Sequence, residues 1–159
     1  MAVKTQAPND STSTDRIERR FVLRAPRSRV WRALTKAEEF SAWFRIKLEG
    51  EFIEGRPNRG NLTFAGYEHV VVEMQVERMD AERYFSYRWH PGAVDPAVDY
   101  STEPTTLVEF TLEETDGGTA VTIVESGFDR LPLGRREEAF RMNNKGWDGQ
   151  IKNFTQYVQ

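Results

Sequence analysis

Toward the C-terminal end, large apolar residues recur at Phe140, Trp147, Ile151, Phe154 and Val158. Steps of seven, four, three and four place them on one stripe of an α-helix of about five turns. Most of the remaining chain alternates instead. Ile17, Phe21 and Leu23 form one face of a first strand. Val70, Val72, Met74 and Val76 give a second inward set, Phe85, Tyr87 and Trp89 a third, and Val108, Phe110 and Leu112 a fourth. Ala120 to Glu125 continues the alternation beyond Asp116-Gly117-Gly118, a hairpin signal because such turns need positive φ. Ile46 to Phe52 is read as a strand, Gly55 to Gly60 as a turn, and Leu62 with Phe64 as the partner strand. Between the first two strands the period changes. Pro26 suits a first helical turn, with Val30, Trp31 and Leu34 on one face, and Phe40, Trp43 and Phe44 mark a second short helix. The predicted order is strand, helix pair, six-strand meander, long helix.

Such a sheet needs a cover for its apolar face, and the last helix is the available one. With 159 residues, the chain is expected to form one domain with a real core, residues 15–159. Residues 1–14 are polar, without periodicity, and are read as a disordered tail. They carry no apolar core for a signal peptide, and no run reaches the length of a membrane span, so the cytoplasm is expected and membrane insertion is not. Cysteine is absent, which excludes disulfides, thiolate metal ligands and a cysteine nucleophile. The net charge of −3 is uneven: residues 15–36 hold eight basic and two acidic side chains. They fall on an alternating strand and a short helix, scattered over different faces, and so do not make a nucleic-acid surface.

Several local motifs, in order, resemble a known family. They are Arg24-Ala25-Pro26 with Val30-Trp31, Trp43-Phe44, Trp89-His90-Pro91, Gly117-Gly118-Thr119, Glu125-Ser126-Gly127-Phe128, and Gly146-Trp147 with Tyr157-Val158. Together they are similar to the START-like (SRPBCC, helix-grip) superfamily, in its branch resembling the Hsp90 ATPase activator. The resemblance implies an α+β helix-grip fold, with about seven antiparallel strands curled around the C-terminal helix and an apolar pocket between them. Relatives of that fold carry hydrophobic ligands, cyclise polyketides or act as cochaperone modules, and fold alone does not choose among these.

The residues narrow the choice. His69 and His90 stand apart, and no cluster has metal-ligand spacing, so neither a metal nor another cofactor is expected. No serine sits in a nucleophile elbow, and Gly55 to Gly60 is not a phosphate-binding loop. The inward strand sets are apolar apart from Tyr87. A cyclase or dehydratase would need an inward carboxylate or histidine, with His90 and Glu109 as the positions to watch. On the helix stripe, Asn143 and Asn144 also turn toward the sheet, where each amide needs a partner: backbone, the Tyr87 hydroxyl, water or a ligand. Gly146 and Gly149 either let the helix approach the sheet closely or leave room beside Trp147, and close packing is the preferred of the two readings. The reading is a non-catalytic binder of a small hydrophobic, aromatic or lipid-like molecule, its pocket lined by Trp43, Met74, Phe85, Tyr87, Trp89, Phe110, Asn143, Asn144, Trp147 and Ile151. The loop from Pro91 to Pro104 is a gate candidate. The alternatives are a cochaperone-like interaction module, set against the absence of a second domain, and a cyclase-type enzyme; a monomer or weak homodimer is expected.

Overall fold

The computed structural model describes residues 15–159; the tail expected over residues 1–14 lies outside them. Strand β1 (Arg16–Leu23) leads to helices α1 (Arg27–Thr35) and α2 (Ala37–Phe44). Strands β2 (Ile46–Leu48), β3 (Pro57–Leu62), β4 (Val71–Asp80), β5 (Tyr84–Trp89), β6 (Thr106–Thr115) and β7 (Gly118–Ser126) follow. A 3-10 turn at Phe128–Arg130 precedes the long helix α3 (Leu133–Val158). The seven strands form one antiparallel sheet in the order β1-β7-β6-β5-β4-β3-β2. The first described strand, β1, therefore pairs with the last, and the rest is a meander.

The alternation has its expected consequence. Met74, Val76, Phe85, Tyr87, Val108, Phe110 and Leu112 are all buried on the face that α3 covers. Each fully buried side chain of this size contributes about 1.5–3 kcal/mol of transfer free energy. Aromatic rings fill the centre: Phe40 stacks on Phe44 at 4.8 Å, Trp43 stacks on Phe154 of α3 at 4.4 Å, and Phe52 meets Phe85 edge-on at 5.1 Å. The Trp43 indole Nε1 donates to the Ala33 carbonyl at 2.9 Å, so the helix pair is locked by a hydrogen bond as well as by packing. The two-residue turn at Asp116-Gly117 closes β6 and β7 with Gly117 at φ 84°.

Two expectations need correction. Of the stretch from Gly55 to Gly60 only Gly55 and Arg56 belong to the turn, where the Arg56 N–H donates to the Ile53 carbonyl at 3.0 Å; β3 begins at Pro57. The inward positions of β3 are Asn58 and Gly60, which an apolar alternation does not register. Asn58 is buried because its side chain accepts from the Gly50 N–H at 3.2 Å and donates to the Gly50 carbonyl at 2.8 Å. At Gly60 a Cβ would lie 2.1 Å from the Lys47 carbonyl oxygen, so β2 and β3 can meet only with glycine there. Helix α3 also starts earlier than the stripe suggested, at Leu133, whose side chain is exposed.

Candidate functional site

Along the β1 side, α3 lies close to the sheet, with Phe154 edge-on to Phe21 at 6.3 Å. Toward β3 and β4 helix and sheet part, leaving a cleft of about 910 Å³. This is within the range of about 300–1,000 Å³ usual for small-molecule sites. One wall is Leu62, Phe64, Val70 and Val72; the other is α3 from Met142 to Asn153; Trp89 to Val94 and Tyr100 complete it. The expectation that Gly146 and Gly149 bring helix and sheet together fails. Both border the cleft, and a Cβ at either would meet nothing within 4 Å, so they leave open space.

The floor of the cleft is polar underneath. Trp89 of β5 and Trp147 of α3 stack at 5.9 Å, and both indole N–H groups point at the same carboxylate, Glu125 of β7. Trp89 Nε1 donates to Oε2 at 2.7 Å and Trp147 Nε1 to Oε1 at 2.8 Å. The Thr106 hydroxyl lies 2.6 Å from Oε2, and the Asn143 amide nitrogen is 2.9 and 3.0 Å from the two oxygens. Glu125 is wholly buried. Burial pushes its carboxyl above the usual glutamate range, while the donors from Thr106, Trp89, Trp147 and Asn143 pull the other way. Beneath it, burial and the neighbouring Glu125 hold the Tyr87 hydroxyl well above the usual tyrosine range, and that hydroxyl has no hydrogen-bond partner among the described residues.

Of the residues expected to line a pocket, Trp89, Asn143 and Trp147 meet at this cleft. Met74, Phe85, Tyr87 and Phe110 lie fully buried beneath it, and Trp43 packs on Phe154 away from it. Ile151 is half-buried against the core. Asn144 turns toward β1, where its side-chain and backbone oxygens accept from Arg19 at 3.0 and 3.1 Å. His90 lines the cleft with a buried Nδ1 that has no partner among the described residues. Glu109 lies off the cleft and accepts from the Tyr84 hydroxyl at 2.5 Å.

An inward carboxylate is present after all, and it is Glu125. Its signal was in the sequence, since it shares parity with Val121 and Ile123, both buried. The gate candidate is anchored: Arg135 of α3 reaches both Glu103 oxygens at 3.1 Å and the Pro91 carbonyl at 2.7 Å, and stacks over Tyr100 at 4.7 Å. Among the described residues no helix is long and apolar enough to cross a membrane, and no three of His, Asp or Glu group to hold a metal ion.

Comparison with known proteins agrees with this architecture. A family model described as activator of Hsp90 ATPase homolog 1-like protein matches residues 24–159. No match is found among curated proteins. Protein MLL2253 from Mesorhizobium loti superimposes with a TM-score of 0.71 at 23% identity, covering 90% of this chain and 96% of that one. The Aha1 dimer from Colwellia psychrerythraea gives 0.67 at 15% identity, covering 90% and 95%. DynU16, from the dynemicin biosynthetic locus, gives 0.71 at 20% identity, covering 91% of this chain but 47% of its own. At these identities the likeness is one of fold, the helix-grip fold expected from the motifs.

Proposed function

The chain belongs to the activator of Hsp90 ATPase homolog 1-like family, and from that premise we propose that it binds a small, largely apolar ligand in the cleft between β3–β4 and α3. The observation that carries this reading is the cleft itself: about 910 Å³, walled by Leu62, Phe64, Val72 and Met142, and floored by two stacked indoles. Aromatic faces give a flat apolar surface for rings or acyl chains, and a few fixed polar groups orient what binds. Glu125 supports binding over acid–base chemistry. Both its oxygens are occupied by donors of the protein, so it organises the floor without reaching into the cleft.

Trp89 and Trp147 make the reading testable by fluorescence. Native mass spectrometry and tryptophan quenching against fatty acids, sterols and phenolic compounds should give a one-to-one complex that raises the melting temperature. A panel in which nothing binds or shifts the melting temperature would remove this reading. A second reading, a cochaperone-like interaction module, is favoured by the family match alone. Stoichiometric, saturable retention of an Hsp90-type ATPase by the purified chain, unaffected by cleft ligands, would support it instead.

A further inference from the structure

We propose that the cleft selects an uncharged aromatic or alicyclic body bearing a hydroxyl or N–H group, and that the side-chain oxygen of Asn143 reads this donor. The inference rests on the binding reading above and adds the chemical class of the ligand. It starts from Glu125, whose two oxygens, ionised, can only accept from an amide. The Asn143 nitrogen lies 2.9 and 3.0 Å from them. The reversed amide would set oxygen against carboxylate, so chemistry fixes which way Asn143 faces. Its Oδ1 is thereby turned from Glu125 on a residue that lines the cleft, and no donor among the described residues meets it.

The other amides on the helix wall bond to partners within the protein through their nitrogens. Gln150 Nε2 donates to the Phe44 carbonyl at 2.9 Å, and Asn153 donates to Gln150 Oε1 at 3.4 Å. Asn143 thus offers an open acceptor at the floor, held beside Trp89 and Trp147 by the Glu125 carboxylate they share. A ligand acceptor placed there would face oxygen with a carboxylate behind it, whereas a hydroxyl or N–H would complete the chain from ligand to Asn143 to Glu125. The walls also carry Arg45, Lys145 and Lys152 against Glu73. These charges can hold an acid at the mouth without reference to Asn143, so the discriminating probes are neutral.

Two pairs serve: 2-naphthol with 2-methoxynaphthalene, and estrone with its methyl ether. Each ether keeps the ring body and the oxygen but loses the donor. Calorimetry and tryptophan quenching on the full chain should show the donor-bearing member binding about tenfold more tightly than its ether. Asn143→Leu should bring each pair to within about twofold. Equal binding of donor and ether to the native protein would overturn the donor proposal and leave the cleft as a binding site. A preference that survives in Asn143→Leu would remove Asn143 as its reader. If no member of either pair binds, the binding reading falls and this proposal with it. The native comparison decides even if the leucine variant does not fold.

Discussion

Replacing Glu125 with leucine isolates what the buried carboxylate does. Four donors converge on it from Trp89, Thr106, Asn143 and Trp147. Trp89 and Asn143 border the cleft, so water can take over their bonds. Thr106, and Trp147 although it lines the cleft, cannot be rescued that way, being 0% and 3% exposed. A buried donor left without an acceptor costs about 1–3 kcal/mol, so the two together cost about 2–6 kcal/mol. Leucine also relieves the dehydration of a carboxylate, which offsets part of this and places the expected net loss near 2–3 kcal/mol. For a domain of this size that corresponds to a melting temperature lower by about 4–12 °C. Glu125→Gln should lose less. Its oxygen can accept from Trp147 and Asn143 and its nitrogen can donate to the Thr106 hydroxyl, leaving the Trp89 N–H to water. Urea and thermal unfolding of the three proteins, followed by tryptophan emission, order them native, Gln, Leu. A leucine variant as stable as the native chain would mean that dehydrating the carboxylate outweighs all four donors, and the account of Glu125 as an organising acceptor would fail.

The same site has a pH signature. Burial raises the folded carboxyl of Glu125 above its ordinary value, so between the two values the folded chain holds a proton that the unfolded chain releases. Native stability therefore falls relative to Glu125→Gln as pH rises through that window, and urea midpoints of both proteins from about pH 4 to 7 would expose a flat or opposite difference. Gly60→Ala should weaken the β2–β3 edge by about 1–3 kcal/mol, because its Cβ would meet Lys47 backbone and not a yielding side chain. An unchanged urea midpoint would show that the edge can spread to admit the methyl. Arg135→Ala removes the bonds to Glu103 and the Pro91 carbonyl, with both charged partners largely buried. It should speed amide exchange across residues 91–104 while leaving the far hairpin at Gly117 protected, and uniform protection would contradict that anchoring role.

Where apolar residues carried the pattern, the sequence was enough to place the elements. The helix stripe, the parity of Val108, Phe110 and Leu112, and the Asp116-Gly117 turn all follow from periods that burial enforces. What escaped was polar residues standing in phase. Asn58 and Gly60 occupy inward positions of β3 through backbone pairing and close approach, and their strand was mistaken for a turn. Glu125 continues the inward parity of Val121 and Ile123, but a carboxylate reads as an outward residue until its donors are seen. Those donors come from three other elements far apart in the chain, so only the tertiary structure assembles them. Asn143 and Asn144 illustrate the same limit. Neighbours on one helix, they face different partners, Glu125 and Arg19, a split of direction too fine for the stripe to resolve.

The Glu125 cluster ties β5, β6, β7 and α3 together through one carboxylate. Its atoms hold the fold and shape the floor of the cleft at once. On the proposed binding reading, ligand preference in this scaffold is hard to change from below, since each alteration of the floor also taxes folding. The walls are different: Leu62, Phe64, Val72 and Met142 are only partly buried and border the space without sharing those bonds. On that reading, a change of ligand should come from variation along the walls with the acceptor at the floor kept, and redesign of this chain has the same route open to it.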